Sequence, residues 1–370
     1  MRRYFFLFAM LLQTSEALGQ AELPIPLKLQ NFIKDLESQK NELQGGAIAI
    51  LHKGKVIYKT TFGYRKGNEG PVTEKTLFPL ASVSKSVSAT ALALMAESGE
   101  IDLEKKYKLP GLKPGINLKH ILSHTTGYLL RGDEEIEKGL SYQELLKVLK
   151  HQKSKCKPGE CYLYSNAAFI LLGDILNNEG LSFALAIQNL RHSLNTDGLK
   201  LLPLDSSKEI AHPHGETKNK KGAKLKPRPF ESLYAKSVPA AAGIYGSIDG
   251  LIEFFKLSFG YRPDLISPKT LKQFQAPFIA ARDIDNWFGL SWPCPKKDID
   301  SYYGLGWRIL RAKKNPGKEL IFHSGLLSGV VAYIGFIPTE ETGIIILLNQ
   351  TSKFAINKGN QLWGILLGKV

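Results

Sequence analysis

Residues 82–97 read SVSKSVSATALALMAE. Small and apolar side chains fill the segment from Ser84 to Glu97, which ends near Gly99, and this pattern predicts a buried helix. Ser82 and Lys85 are three positions apart, so a helix that begins at Ser82 places both side chains on one face. A serine hydroxyl becomes nucleophilic when a neighbour takes its proton, and lysine can do so when burial or positive charge lowers the pKa of its ammonium group.

The same spacing occurs a second time, at Ser154-Lys155-Cys156-Lys157. This copy lies in a charged stretch just before Pro158, and no buried helix follows it, so we assign it no role. A serine at the start of a helix is also a common capping residue. The spacing alone therefore does not identify Ser82 as a nucleophile, and other residues must support the hypothesis.

Strand-like segments lie at both ends of the chain and helical segments lie between them. Residues 46–52 and 55–64, joined by Lys53-Gly54, predict a hairpin. Residues 208–228 are rich in lysine and predict an exposed loop or hairpin. The other expected strands are 303–311, 319–323, 330–337 and 342–349, with turns at 315–317 and 338–340, and the other expected helices are 26–42, 117–123, 141–151, 165–179, 181–192 and 353–368.

This order predicts an α+β fold in which an antiparallel sheet is built from both ends of the chain. Residues 20–85 and 240–370 would form the sheet domain with helices packed on it, and residues 86–239 would form a mostly helical insertion. We expect the active site at their junction, because binding sites favour domain boundaries.

The first 19 residues resemble a secretory signal peptide. Arg2 and Arg3 precede a short apolar run, and Ala17-Leu18-Gly19 offers small residues for cleavage. The run is too short to span a bilayer, which takes about 20 residues. We therefore expect a periplasmic or secreted protein that begins near Gln20 and has no stable membrane span after cleavage.

Charge and cysteine content limit the choice of partners. The net charge of +15 fits a lysine-rich surface, and no zinc-finger, helix-turn-helix or basic-aromatic pattern indicates nucleic-acid binding. Cys156 and Cys161 flank a turn-prone segment that can bring them together, but the sequence leaves their pairing open. Neither they nor Cys294 has zinc-like partners nearby, so we expect no metal and no cofactor.

Two later motifs carry groups that could complete a site around Ser82. Tyr164-Ser165-Asn166 follows a predicted turn and begins a helical segment. A phenol near a lysine can transfer a proton, and an amide can hold both lysine and substrate. His323-Ser324-Gly325 ends a strand-like run, where small residues let a substrate lie along the strand edge. Each motif alone also fits an ordinary helix cap or strand end, and Tyr245-Gly246-Ser247 is a second tyrosine motif without the asparagine.

Together these motifs resemble the serine β-lactamase and penicillin-binding protein superfamily, in the order found in class C β-lactamases, carboxypeptidases, D-aminopeptidases and carboxylesterases. The resemblance spans residues 45–350 and implies a three-layer α/β/α sandwich with a helical insertion. It includes Leu77-Phe78-Pro79-Leu80-Ala81-Ser82, Leu122-Ser123-His124-Thr125-Thr126-Gly127, Ala241-Ala242-Gly243-Ile244-Tyr245 and Tyr303-Gly304-Leu305-Gly306-Trp307.

The resemblance also implies roles for individual residues. Ser82 would form the acyl-enzyme, and Lys85 and Tyr164 would transfer its proton, with the resting acceptor left open. Asn166, His323, Ser324 and Gly325 would bind substrate. The remaining implied roles are an oxyanion hole from the backbone N–H groups of Ser82 and Leu326, an acyl-side contact from Arg131, a carboxylate-side contact from Asn349, and a packing role for His124.

His323 departs from the class C pattern, in which this position is lysine. An unperturbed histidine is mostly neutral at pH 7, so the change weakens the β-lactamase hypothesis and favours a peptidase or esterase. We expect a hydrolase of amides or esters whose substrate is a small molecule or peptide, with D-amino-acid peptides of the cell wall as one candidate. A class C-like β-lactamase and a non-catalytic wall-fragment or protein-binding relative are the alternatives, and the oligomeric state is left open.

Overall fold

Both ends of the chain contribute strands to one sheet. The computed structural model describes residues 25–108, 114–204, 209–219, 222–281 and 298–367, so the expected signal peptide and Cys294 lie outside the described residues. The strands are β1 Gly45–His52, β2 Lys55–Lys66, β3 Glu69–Pro71, β4 Phe78–Pro79, β5 Leu199–Lys200, β6 His214–Asn219, β7 Gly222–Pro227, β8 Tyr245–Gly246, β9 Ile279–Ala280, β10 Ile299–Tyr303, β11 Arg308–Ala312, β12 Asn315–Leu327, β13 Val330–Ile337 and β14 Thr342–Leu348.

The main sheet is antiparallel and has the strand order β3-β2-β1-β14-β13-β12-β11-β10-β9. The first strand pairs with the last, for example Ile48 with Ile346, and β14 in turn pairs with β13. The β-branched residues of these central strands are buried on both faces, which is why the strands read as nearly continuous apolar runs. The prediction of a sheet built from both ends is confirmed.

Helices cover both faces of this sheet. They are α1 Leu27–Gln39, α2 Ser84–Glu97, α3 Leu118–Leu122, α4 Asp133–Glu137, α5 Tyr142–His151, α6 Ile170–Asn178, α7 Phe183–Ser193, α8 Leu233–Ser237, α9 Pro239–Ala242, α10 Ile248–Ser258, α11 Pro268–Gln275 and α12 Phe354–Leu367. On one face, α1 and α12 share a core with the sheet through residues such as Phe32, Ile346 and Trp363. On the other face, α2 and α10 share a larger core through Val87, Phe255 and Ile345. The layers are helix, sheet and helix, as expected for the α+β fold.

Helix α2 is the central helix of the second core. It contacts α7 and α9, and it is followed by the helices α3 to α7 before the chain returns to the sheet. Eleven of its side chains are buried, including Lys85. The expected boundary at residue 86 falls inside α2, so the helix itself does not separate two domains there. The division into 20–85 with 240–370 and 86–239 stays a prediction.

Two predicted elements near the C-terminus are corrected by the structure. The expected strand 303–311 is two strands, β10 and β11, separated by a turn in which Gly306 has a φ of +79°. This turn is held against α2, since Ser86 Oγ donates to the Gly306 carbonyl at 2.7 Å. The expected turn at 315–317 is instead the start of β12, because Ala312 already pairs with Asn315 and the reversal needs only residues 313–314.

The lysine-rich segment forms the hairpin β6–β7, in which His214 pairs with Pro227. Within the described residues, no single helix is long and apolar enough to cross a membrane. Residues 167–178 and 183–193 meet that length and apolarity test only as a pair bent by 85°, and their apolar side chains are mostly buried in the core.

Candidate active site

Ser82 lies at the entrance to α2. It belongs to a 3₁₀ turn, Ala81–Val83, that leads directly into the helix. Ala81 has a φ of +46°, a left-handed conformation that costs a non-glycine residue of order 1–3 kcal/mol and is often found at functional sites. The one-turn spacing places Lys85 Nζ 3.2 Å from Ser82 Oγ. The structure therefore brings the two residues together as the sequence suggested.

Tyr164 and Asn166 reach the same two side chains from another part of the chain. Tyr164 OH donates to Ser82 Oγ at 3.0 Å, and Lys85 Nζ donates to Asn166 Oδ1 at 2.6 Å and to the Ala241 carbonyl at 3.0 Å. Each proton-transfer group thus lies within hydrogen-bonding distance of the serine, and the amide fixes the lysine. Tyr245 does not join them, since its hydroxyl donates to the Phe230 carbonyl.

The loop before Tyr164 is held by backbone bonds and a covalent link. Leu163 N donates to the His124 carbonyl at 2.8 Å, and Asn166 N donates to the Arg131 carbonyl at 2.8 Å. A disulfide joins Cys156 and Cys161 in the loop that precedes these contacts. Two loops distant in sequence are therefore joined side by side, which positions the tyrosine and the asparagine over α2.

Strand β12 passes directly beside the nucleophile. A Cβ added to Gly325 would come within 2.8 Å of Ser82 N, so only glycine permits this approach. The pairing of β12 with β11 stops at Phe322, whereas its pairing with β13 continues to Leu327. Among the described residues, no strand covers the other edge of β12 beyond Phe322. This edge can accept an extended substrate, and both Ser82 and Leu326 line the cavity in front of it.

Burial and nearby charges shift the pKa values of the two proton-transfer groups, Lys85 and Tyr164. Lys85 is fully buried, which lowers the pKa of its ammonium group well below the usual value; Asp133 opposes this and Arg308 adds to it. Burial raises the pKa of Tyr164 to about 12, although Arg308 and the bond to Ser82 act in the opposite direction. The site therefore favours an uncharged lysine and an uncharged tyrosine, a pair that can take the serine proton and pass it on.

His323 lies behind the site and not on its surface. It is fully buried, with Nδ1 2.9 Å from the Ser324 carbonyl and Nε2 2.9 Å from Tyr303 OH. A carbonyl only accepts, so Nδ1 carries the proton and Tyr303 donates to Nε2. Burial, Arg308 and Lys85 hold the pKa of His323 well below its usual value. The resemblance implies that His323 binds substrate, but its ring is buried, does not line the cavity and is neutral, so it cannot supply a charge to a substrate.

The structure also places the three remaining expected residues, of which only Asn349 departs from the expectation. Asn349 is fully buried and donates to the carbonyls of Tyr64 and Arg65. Contrary to the expectation, it therefore does not reach the cavity. Arg131 does line the cavity, where its guanidinium pairs with Asp133. His124 packs as expected, with its ring centroid 4.2 Å from that of Tyr164, and burial lowers its pKa well below the usual value.

Two charged residues of the site, Asp133 and Arg308, belong to none of the motifs found in the sequence. Asp133 accepts from Asn166 Nδ2 at 2.5 Å, and the guanidinium of Arg308 lies 5.3 Å from the centroid of the Tyr164 ring. A signal for Arg308 exists, since it is a lone charge among Trp307, Ile309 and Leu310. A buried charge within an apolar strand is rare and often functional. Asp133 gives no such signal, because three acidic residues in the first turn of a helix are ordinary.

A cavity of about 1350 Å³ opens in front of Ser82. Residues 228–234 contribute much of its lining, with Phe230 and Leu233 among the apolar side chains, and Leu326 and Leu327 add further apolar surface. The charged side chains of Asp133, Glu137 and Arg228 also line the cavity. This shape and lining suit a substrate that is largely apolar and carries a few polar or charged groups.

Comparison with known proteins is consistent with this geometry. A model of the family described as Beta-lactamase matches residues 33–363. A β-lactamase of Escherichia coli (strain K12) is 28% identical over 343 residues, which covers 85% of this chain and 86% of the relative. The octameric penicillin-binding protein homologue of Pyrococcus abyssi superposes with a TM-score of 0.74 at 24% identity, over 92% of this chain and 77% of that one. The D-amino acid amidase of Ochrobactrum anthropi SV3 superposes with a TM-score of 0.70 at 18% identity, over 92% and 97%. These two structures share the fold.

Proposed function

The chain belongs to the β-lactamase family of serine hydrolases, and we propose that it is an exported enzyme that cleaves an amide or ester through an acyl-enzyme on Ser82. One observation carries the proposal. Lys85 Nζ and Tyr164 OH lie 3.2 and 3.0 Å from Ser82 Oγ, so a single hydroxyl has both a proton acceptor and a proton donor in contact.

The proposed reaction has two half-reactions. Ser82 Oγ attacks the substrate carbonyl carbon while its proton passes to Lys85, whose burial favours the free amine. The N–H groups of Ser82 and Leu326 stabilise the oxyanion. The C–N or C–O bond then breaks, and the leaving group takes the proton through Tyr164. Water attacks the acyl ester with the same groups in reverse, which releases the acid and restores Ser82.

Arg228 is the proposed partner of a substrate carboxylate. Its guanidinium lies at the cavity wall, donates to Ser328 Oγ and has no carboxylate partner among the described residues. Because His323 is buried and neutral, this arginine is better placed to meet an anionic group. A D-amino-acid peptide with a free carboxylate fits these features, and one structure that shares the fold is a D-amino acid amidase complexed with D-phenylalanine.

Export is proposed from residues 1–19 and is supported by the Cys156–Cys161 disulfide, since disulfides persist outside the reducing cytoplasm. A periplasmic or secreted enzyme would meet cell-wall peptides directly. Expression of the full chain in a bacterial host, followed by N-terminal sequencing of the protein released from the periplasm, tests this part. A chain that retains residues 1–19 and stays in the cytoplasm would contradict it.

β-Lactamase activity is the second candidate, favoured by the similarity to the E. coli β-lactamase over 85% of this chain. Incubation with a fluorescent penicillin and a p-nitrophenyl ester, beside Ser82→Ala, separates the candidates. Stable labelling together with ester or D-peptide turnover supports the proposed enzyme, and rapid loss of the label supports a β-lactamase. Neither labelling nor turnover would leave a non-catalytic binding protein.

A pair of esters tests the role of Arg228. Arg228→Met should raise KM for an ester with a free carboxylate on the order of tenfold, the usual value of a charged hydrogen bond, and leave the neutral ester unchanged. Arg311→Met is the control, because Arg311 pairs with Glu319 away from the cavity. Equal effects of Arg228→Met on both esters would contradict carboxylate binding.

A further inference from the structure

Arg308 is a buried cation beside the catalytic groups. It is the first residue of β11, directly after the turn that packs on α2, and only 1% of its surface is exposed. Its guanidinium carbon lies 5.3 Å from the ring centroid of Tyr164 and 5.5 Å from that of Tyr303. Tyr303 in turn holds His323. The permanent charge at this end of the site is therefore on β11, and the histidine of the β12 triplet is neutral.

Asp133 is a carboxylate that contacts Lys85 indirectly, through Asn166. It is the first residue of α4, and its Oδ1 accepts from Asn166 Nδ2 at 2.5 Å and from Tyr234 OH at 3.2 Å. The Oδ1 of the same Asn166 accepts from Lys85 Nζ at 2.6 Å. A single amide therefore lies between the Asp133 carboxylate and the Lys85 nitrogen. Its two hydrogen bonds polarise each other, so the charge on Asp133 affects the protonation of Lys85.

We propose that Arg308 and Asp133 are opposed positioning residues, in which Arg308 favours an uncharged Lys85, Asp133 favours a charged one through Asn166, and their balance sets the pH range in which Ser82 is activated. This inference rests on the proposed function, because it concerns the proton that leaves Ser82 during acylation. Neither residue needs to touch the substrate for this role.

The signs follow from the charges. A cation near Lys85 disfavours its ammonium form, and an anion favours it. Arg308 accordingly lowers the pKa of Lys85 and of Tyr164, and Asp133 raises the pKa of both. The direction is the same whichever of the two is the resting acceptor. Among the described residues, Arg131 also acts on this pair and lowers both pKa values, and the buried rings of His124 and His323 are neutral. Tyr303 faces Arg308, and Tyr234, which also contacts Glu137, faces Asp133.

The test is the pH dependence of covalent labelling of Ser82 by a fluorophosphonate, which requires an activated serine but no recognised substrate and no deacylation. Activation requires the free base, so the rate rises with pH and its midpoint follows the base. Arg308→Met should move the midpoint up, and Asp133→Asn should move it down, each by roughly one pH unit. Shifts in the same direction, or no shift in either variant, would overturn the proposal.

Control variants separate this effect from loss of structure. Arg311→Met, on the same strand but a third exposed and paired with Glu319, should leave the midpoint unchanged. Arg308→Lys keeps the charge and should restore the wild-type midpoint. If Arg308→Met does not fold, Asp133→Asn still decides, because a midpoint that does not fall overturns the proposal.

The proposed function can fail separately from this inference. Wild-type protein that is labelled at Ser82 but turns over no amide or ester contradicts the function, and its labelling profile still tests the two charges. Wild-type protein whose Ser82 reacts at no pH overturns both.

Discussion

Two segments of this chain carry the same Ser-x-x-Lys spacing in opposite surroundings. Ser82 and Lys85 lie at the start of a buried helix, and the lysine is fully buried. Ser154 precedes the loop that the Cys156–Cys161 disulfide closes, and its Oγ donates to the carbonyl of Cys156. Lys157 lies in that loop and is exposed. The spacing is equal, so the difference in chemistry must come from the surroundings.

The difference shows what activates a serine. At Lys85, burial disfavours the ammonium group, and Asn166 and the Ala241 carbonyl hold its nitrogen in reach of Ser82. Lys157 is exposed, and its backbone N–H instead binds Glu160. Burial of the kind found at Lys85 lets a lysine act as a base at neutral pH, and Lys157 lacks it.

The largest expected effect comes from the two serines. Ser82→Ala removes the nucleophile and should lower kcat for a p-nitrophenyl ester by roughly 10⁴-fold or more, as in other serine hydrolases. Ser154→Ala should leave kcat within about twofold, since surface changes are usually small. Steady-state kinetics of both variants measure this. Retained turnover in Ser82→Ala would remove the distinction between the two segments.

The two lysines give the next largest difference. Lys85→Met keeps the buried volume but removes the base, and should lower kcat/KM by about 10³-fold, within the range for general bases. Lys157→Met should have no effect, because that side chain is exposed. Both variants are compared on the same ester, with thermal unfolding as a check of folding. A small loss in Lys85→Met would assign the base to Tyr164.

A pair of glycines on β12 sharpens the comparison, because β12 passes beside Ser82. Gly325→Ala would push β12 away from Ser82 N and should lower kcat by on the order of 10², the value of one oxyanion donor. Gly317→Ala on the same strand has no atom within 4 Å of the added Cβ and should be silent. Equal activity in both variants would exclude a role for this close approach.

The smallest expected effect is on stability. Burial keeps His124 and His323 neutral, with pKa values well below 6.5 in the folded state. As pH falls, the unfolded chain takes up protons on these histidines at a higher pH than the folded protein does. The stability that the neutral rings contribute is therefore fully present above pH 6.5 and is lost as pH falls towards the folded-state pKa. Urea unfolding between pH 7.5 and 5 should show the free energy of unfolding falling with pH, by up to about 1.4 kcal/mol per unit for each histidine.

Single variants isolate these contributions, because other histidines shift in the same direction. His323→Gln should make the pH dependence less steep, and the exposed His151→Gln should not change it. An unchanged slope in His323→Gln would mean that the buried ring does bind a proton in the folded protein. The histidines with lowered pKa values besides this pair are His52, His120 and His214.

Local signals in the sequence were enough for much of the fold. The run of small and apolar residues from Ser84 to Glu97 predicts α2 with the bounds observed. The hairpin of β1 and β2 and the strands β13 and β14 also follow from residue patterns, because each has β-branched residues and a clear turn. Each of the three motifs is visible in a few consecutive residues, and the resemblance to a family predicted that they come together in one site.

The remaining features depend on contacts between distant segments. His323 is fully buried with its ring held by Tyr303 and the Ser324 carbonyl, and no pattern around residue 323 indicates that burial. Asn349 is used to hold β2, and the 303–311 segment is broken because Gly306 packs on α2. Arg308 and Asp133 approach the site only through the tertiary fold, so the charges that tune Lys85 could not be assigned from spacing.

Peptide mapping of a trapped acyl-enzyme tests the central claim most directly. The protein is mixed with an activated ester or a penicillin, quenched in acid within seconds, digested and analysed by mass spectrometry. We predict one acyl group, on the peptide that contains Ser82, and none on the peptide that contains Ser154. Turnover without acylation of Ser82, or acylation of Ser154 in its place, would contradict the account.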